Sequence, residues 1–190
     1  KVFKGNFIEI ENEDDLRFDS IKNIPYLVCE DFTGDELVGI NYYQLWENAP
    51  KPAINPENAF RVISGDFVTT EDGTGVVHTA PTFGADDAIA AKNAVPEVPP
   101  MLVYNENKEL VPLVDFQGKF IDSLDEIGGK YVKNEYYSNE DAPEKSVDIE
   151  IAIKLKEQNK AFRVEKYTHS YPNCWRTDKP ILYYPLNSWF

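Results

Sequence analysis

The chain has 190 residues, 42% hydrophobic and 13% aromatic, which suits one domain, or one domain with a connecting segment, that buries a core rather than staying disordered. Its formal charge of −14 argues against a free-standing nucleic-acid binder, because phosphate contacts need clustered Lys and Arg. No apolar run approaches the roughly 20 residues of a bilayer span, so a membrane protein of the helical kind is excluded.

The start, Lys1-Val2-Phe3-Lys4, has neither a signal-peptide plan nor an initiator Met, and the last 20 residues crowd Tyr171, Trp175, Tyr183, Tyr184, Trp189 and Phe190. Both ends read as cuts inside a larger protein. Only two cysteines occur, Cys29 and Cys174, far apart in the chain, which fits a reducing, cytoplasmic setting better than a disulfide scaffold. Acidic residues gather at 9–15, 31–36 and 135–150, and read as solvated surface.

In chain order, 7–10 and 26–29 have strand composition, and 37–45 reads as a further ordered segment. Residues 60–63 and 67–70 are predicted strands around Ser64-Gly65-Asp66. Asp72-Gly73 then predicts a hairpin turn into Val76-Val77-His78. A helix is predicted from Gly84 to Lys92, with Asp86 and Asp87 in its first turn, where the helix dipole favours carboxylates. Pro96, Pro99 and Pro100 forbid a long helix beyond it. Residues 101–104 and 110–114 flank the turn-rich Asn105-Glu106-Asn107, a second hairpin. In 146–160, Val147, Ile149, Ile151, Ile153 and Leu155 alternate as in a strand. The run is nevertheless long and rich in Glu, Lys and Gln, and a helix is the better reading. The sum is a β-rich α+β domain, a barrel or a strongly twisted mixed sheet, with a few peripheral helices.

The most unusual stretch is GTGVVHTAP at 73–81 followed by FGADD at 83–87. Two glycines allow close backbone approach, a strand carries His78, and a Pro/Gly loop leads to a helix start bearing two carboxylates. These parts can converge on one concave site. Pattern alone leaves a second reading open, in which His78 is satisfied in the core and the aspartates merely cap the helix. Other plans lack their parts: there is no G-x-S-x-G elbow, no paired C-x-x-C, and no lysine-bearing phosphate loop. Attack by a positioned water is the chemistry this inventory permits.

The same stretch closely resembles the signature of the editing domain inserted in isoleucyl-tRNA synthetases. The valyl and leucyl relatives share the glycine opening and the closing Asp but do not usually carry the His78-Thr79-Ala80-Pro81 wording. Leu37-Val38-Gly39-Ile40-Asn41-Tyr42 is similar to the family's L-x-G-x-x-Y segment, and Arg61-Val62-Ile63-Ser64-Gly65-Asp66-Phe67-Val68 follows in the expected order. Tyr167-Thr168-His169-Ser170-Tyr171-Pro172-Asn173-Cys174-Trp175-Arg176, with Asn187-Ser188-Trp189-Phe190, resembles the run that returns the chain to the catalytic core.

The resemblance implies a barrel-like editing domain over 1–165 and a return segment over 166–190. The implied task is hydrolysis of valine wrongly esterified to the 3′ end of the isoleucine tRNA. Asp87 then holds the substrate's α-ammonium group, and His78 fits the acyl side chain and ribose or polarises the water. Gly73, Thr74, Gly75, Thr79, Ala80 and Pro81 shape the pocket wall, and Asp86 is a helix-start residue. The partners implied are the tRNA and the other domains of the same synthetase, acting as a monomer in the cytoplasm. No cofactor is expected in this segment, since ATP and magnesium belong to the parent's synthetic core. Two departures stand out. The family's threonine-rich loop does not occur in these 190 residues, and Cys174-Trp175-Arg176-Thr177 lacks the second cysteine of the zinc-binding wording, so no metal is expected. The alternative from another class is a non-catalytic insert that positions tRNA.

Overall fold

Proline, glycine and Asx punctuation cuts this chain into short elements. The computed structural model describes residues 5–17, 22–71, 74–138, 140–166 and 170–186. In chain order the elements are β1 (Asn6–Glu9), β2 (Asn23–Tyr26), the one-turn helix α1 (Gly34–Leu37), α2 (Ala85–Asn93), β3 (Leu102–Tyr104), β4 (Leu110–Pro112) and α3 (Val147–Glu157). The chain divides into two compact units, one of residues 1–33 and 148–170, the other of residues 34–147 and 171–190.

In the first unit β1 and β2 pair in parallel, Phe7 opposite Ile24 and Glu9 opposite Tyr26. Ile24 is buried. Phe7 stacks on Phe162 at 5.7 Å and takes the Arg163 guanidinium over its ring at 5.6 Å. The predicted strand at 26–29 is displaced to 23–26. The pairing with β1 ends as Ile10 donates to the Tyr26 carbonyl, so the apolar residues beyond it have β-type side chains but no ladder to join.

The second unit is built on a meander. β3 and β4 form the predicted hairpin, Val103 opposite Val111. The chain then turns back, with isolated bridges between Val114 and Phe120 and between Lys119 and Tyr131. Two five-residue turns of the same design make these reversals. Asn105 Oδ1 accepts from the N–H groups of Asn107 and Glu109 at 3.0 and 2.9 Å, and Asp115 Oδ1 accepts from Gln117 and Lys119, each at 2.8 Å. Such side chains replace the turn's missing backbone partners. The fourth position is left-handed in both, Lys108 at φ 61° and Gly118 at φ 81°. Val103, Val114, Leu124 and Ile127 make the core beneath, and Ala91 of α2 is buried as well.

The predicted helices at 84–92 and 146–160 are both present, as α2 and α3. The α+β class holds, but the barrel does not. Among the described residues the strands are three or four residues long, in two separate two-stranded sheets, and nothing closes into a barrel. Closure needs an uninterrupted ladder with a fixed stagger, and these ladders break at every turn. Residues 60–63 keep only an irregular pairing with 39–42: one bridge, Asn41 to Arg61, with Gly39 donating to Val62 and Tyr42 to Phe60. Residues 67–70 and 76–78 are not strands. Val76 and Val77 are 61% and 53% exposed, so neither face of that segment gains the burial that would favour a ladder. Asp72 and Gly73, the expected hairpin turn, lie outside the described residues. No helix among the described residues is long and apolar enough to cross a membrane.

The equivalent turn positions give an opposed pair of expectations. Lys108→Gly relieves a left-handed lysine and is expected to stabilise the chain by about 0.5–1 kcal/mol. Gly118→Ala places a β-carbon 2.7 Å from the Tyr136 ring at a positive φ, and is expected to cost about 2–4 kcal/mol. Urea unfolding of the two variants beside the wild type checks both signs.

Candidate active site

The loop between the extended 76–78 segment and α2 is closed by its own polar groups. Asp87 occupies the third residue of α2 and turns its carboxylate back, so that Oδ2 accepts the Ala80 N–H at 2.9 Å. The Ala80 carbonyl in turn accepts the Phe83 N–H at 3.0 Å, and the Gly84 carbonyl takes the first helical bond from Ala88. Gly84 stands at the N-cap and α2 has no side-chain cap; the third-position carboxylate reaches past the cap to the Ala80 N–H and ties the preceding loop to the helix start. A β-carbon at position 84 would lie 2.6 Å from Asp87 Oδ2, so a larger residue there displaces the carboxylate from its bond to Ala80.

The expected residues fall as follows. Asp87 is half-buried, and its Oδ1 has no partner among the described residues, so one oxygen builds the loop while the other stays available. Thr79, Ala80 and Pro81 are half-buried in the loop. His78 is exposed two residues before Ala80, which overturns the reading of it as a packed core histidine. The alternative reading of the aspartates as helix caps is not met, since α2 has no side-chain cap and Asp87 Oδ2 bonds the loop instead. Asp86 points outward, as a helix-start residue should. Thr74 folds on itself: its hydroxyl accepts the Val76 N–H at 3.3 Å and lies 3.1 Å from the Val76 carbonyl. Gly75 has φ 73°, a conformation that favours glycine and bends the chain toward 76–78. Gly73 and His169 lie outside the described residues.

Two residues that the sequence reading did not place in the candidate site also build this loop. Gly84 gives the room just described. Thr82 is buried, and its Oγ1 accepts the Met101 N–H at 2.7 Å. A glycine before two aspartates was a visible signal for the first; nothing in the sequence marks the second. Residues near the end of the described chain reach the same loop through an aromatic side chain. Tyr184 donates to the Val114 carbonyl at 2.9 Å and meets the Phe83 ring edge-on at 6.0 Å.

Farther along, residues 173–180 form a tight hairpin in which Cys174 receives Asp178 and Thr177 N–H groups on its carbonyl. Its thiol pKa is lowered from the ordinary 9.0, first by the Thr177 hydroxyl and then by the backbone N–H groups of Arg176 and Thr177. Cys29 and Cys174 are both free thiols.

No family model matches the chain. Curated relatives do. The isoleucine–tRNA ligase of Cytophaga hutchinsonii is 48% identical over 100% of the chain, and that of Bacteroides fragilis 46% over 99%. The isoleucine–tRNA ligase of Clostridium tetani is 37% identical over 97% of it. These matches put the chain with aminoacyl-tRNA ligases. Within that class it belongs to the isoleucine–tRNA ligase family, as the counterpart of one segment: the chain spans only 18%, 17% and 16% of the length of these three relatives.

The Cys174 hairpin yields a pH expectation. A lowered thiol pKa means that thiolate, the reactive form, persists to lower pH in the folded chain than in the unfolded one. Iodoacetamide labelling of Cys174, followed by peptide mass analysis, should therefore reach half its limiting rate at lower pH in native protein than in urea. Thr177→Val should move the native midpoint upward.

Proposed function

We propose that this chain is the editing module of an isoleucyl-tRNA synthetase, hydrolysing the ester of valine mischarged to the isoleucine tRNA. The single observation that supports this most is the divided Asp87 carboxylate. Oδ2 is fixed by Ala80, and Oδ1 is left beside the loop that follows His78.

A carboxylate about 4 Å from an α-ammonium group contributes on the order of 4 kcal/mol at an effective dielectric near 20. Here that energy serves orientation: it sets the ester carbonyl where a water can attack. His78, exposed two residues before Ala80, contacts the acyl group or ribose in this reading and can polarise that water. In this reading Thr74, Gly75, Thr79, Ala80 and Pro81 form the wall. A second site is needed because one methylene is worth only about 1–3 kcal/mol in an apolar pocket, a limit for which isoleucyl-tRNA synthetases are themselves the standing example. The ligation of isoleucine with ATP and magnesium belongs to the rest of the parent enzyme. So does most of the tRNA affinity, since a chain of charge −14 cannot supply it. The setting is a monomer in the cytoplasm.

One observation favours the other reading, a non-catalytic insert that positions tRNA. The segment carrying Val76 and Val77 is exposed and unpaired as a strand, so a pocket wall is not built up on that side among the described residues.

Asp87→Asn separates the two, because it keeps an acceptor for the Ala80 N–H and removes the charge. In the full-length enzyme, editing predicts that Asp87→Asn and Asp87→Ala both slow deacylation of valyl-tRNA by on the order of 100-fold. A wild-type rate in Asp87→Asn contradicts it. The role of His78 is tested by its alanine variant. The ratio of valyl to isoleucyl ester hydrolysis should change, and an unaltered ratio removes His78 from substrate fit.

A further inference from the structure

The bonds from Ala80 to Asp87 and from Phe83 to Ala80 join the 79–84 loop to itself and to α2. They do not say where that assembly sits on the sheet. Thr82 does. It is 6% exposed in a loop whose neighbours are half-buried, and its Oγ1 accepts the N–H of Met101, the residue before β3. β3 is held in turn on both sides, by its pairing with β4 and by the Ala53 N–H donating to the Leu102 carbonyl at 2.8 Å. The Thr82 hydroxyl therefore ties a polar loop to the most firmly built backbone of its unit, and it stands between Ala80 and Gly84, the two residues against which the Asp87 carboxylate rests.

We propose that Thr82 is a positioning residue for the editing site, setting the depth of the Ala80–Asp87 loop over β3 and so the size of acyl group that fits beneath it. This rests on the editing reading of Asp87. Removing the hydroxyl leaves the Met101 N–H without its acceptor and lets the loop and the start of α2 shift together. A displacement of even 1 Å at a site that sorts acyl groups by one methylene degrades the sorting. The charge on Asp87 is untouched, so hydrolysis continues while selectivity falls.

The test is hydrolysis of valyl-tRNA and isoleucyl-tRNA by the full-length enzyme carrying Thr82→Val, Thr82→Ser or Asp87→Ala. A loss of folded protein lowers both rates equally and leaves their ratio alone; a displaced loop changes the ratio. Thr82→Val is expected to lower the valyl-to-isoleucyl ratio about tenfold, and Thr82→Ser, which keeps the oxygen, to hold it within about twofold. A wild-type ratio in Thr82→Val, or an equal fall in Thr82→Ser, overturns the assignment. Should Thr82→Val not fold, Thr82→Ala removes the same oxygen without adding bulk and carries the same expected and contrary results. Unchanged valyl-tRNA hydrolysis in Asp87→Ala overturns the editing reading of the site itself. Loss there with an unmoved ratio in Thr82→Val overturns the role of Thr82 alone.

Discussion

The hydrogen bond from the Ala80 N–H to Asp87 Oδ2 carries the rest of the site. Bonds to a charged acceptor contribute about 1.5–3 kcal/mol, more than a neutral pair, and their geometry is narrow. This one folds the Thr79-Ala80-Pro81 turn onto the start of α2 and satisfies a backbone donor. It also fixes the carboxylate at a helix N-terminus, where negative charge is favoured. Because one oxygen is held, the other is presented in a defined direction at no further entropic cost. The constraint reaches the sequence as well. A β-carbon at position 84 would collide with the Asp87 carboxylate as it is held, and position 80 must have a backbone N–H, which proline would lack.

What the sequence made legible is uneven, and the reasons are physical. α2 carried its own signals: a glycine at the cap, two acids in the first turn and Lys92 in the last. The 101–114 hairpin was legible because Asn105 satisfies the turn by itself. α3 was ambiguous on alternation, and its length and composition decided correctly for helix. Strands at 26–29, 67–70 and 76–78 were misread because β-type side chains such as Val76 and Val77 state a preference for a pleated, half-buried surface, not the presence of a neighbour. Pairing is a long-range property. In the first unit it is decided by where the β1 ladder stops, at Tyr26. Within the site, the strand–loop–helix pattern only allowed His78 and Asp87 to be grouped, and the family wording decided for it. Thr82 stayed hidden, since a threonine in a polar loop looks alike whether its hydroxyl faces water or a backbone N–H.

The division of labour implied by the family match follows from charge. A segment of charge −14 that corresponds to 18% of a relative's length is poorly suited to grip phosphates. Under the editing reading the acid clusters at 9–15 and 135–150 act against adventitious contact with nucleic acid, and the tRNA end would be delivered by surfaces outside this segment. Under the editing reading, selectivity needs only a fixed carboxylate and a pocket of limited depth, both of which are within the reach of one short loop held at its two ends.

The most direct measurement is a titration of isotope-labelled protein with a non-hydrolysable valyl-adenosine analogue, followed by NMR. The account predicts that the Ala80 amide and the His78 ring respond together and saturate with a single affinity, because Ala80 is bonded to Asp87 and His78 lies two residues before it. Binding that moves resonances elsewhere while leaving Ala80 and His78 unmoved, or no binding at all in the full-length enzyme, contradicts it.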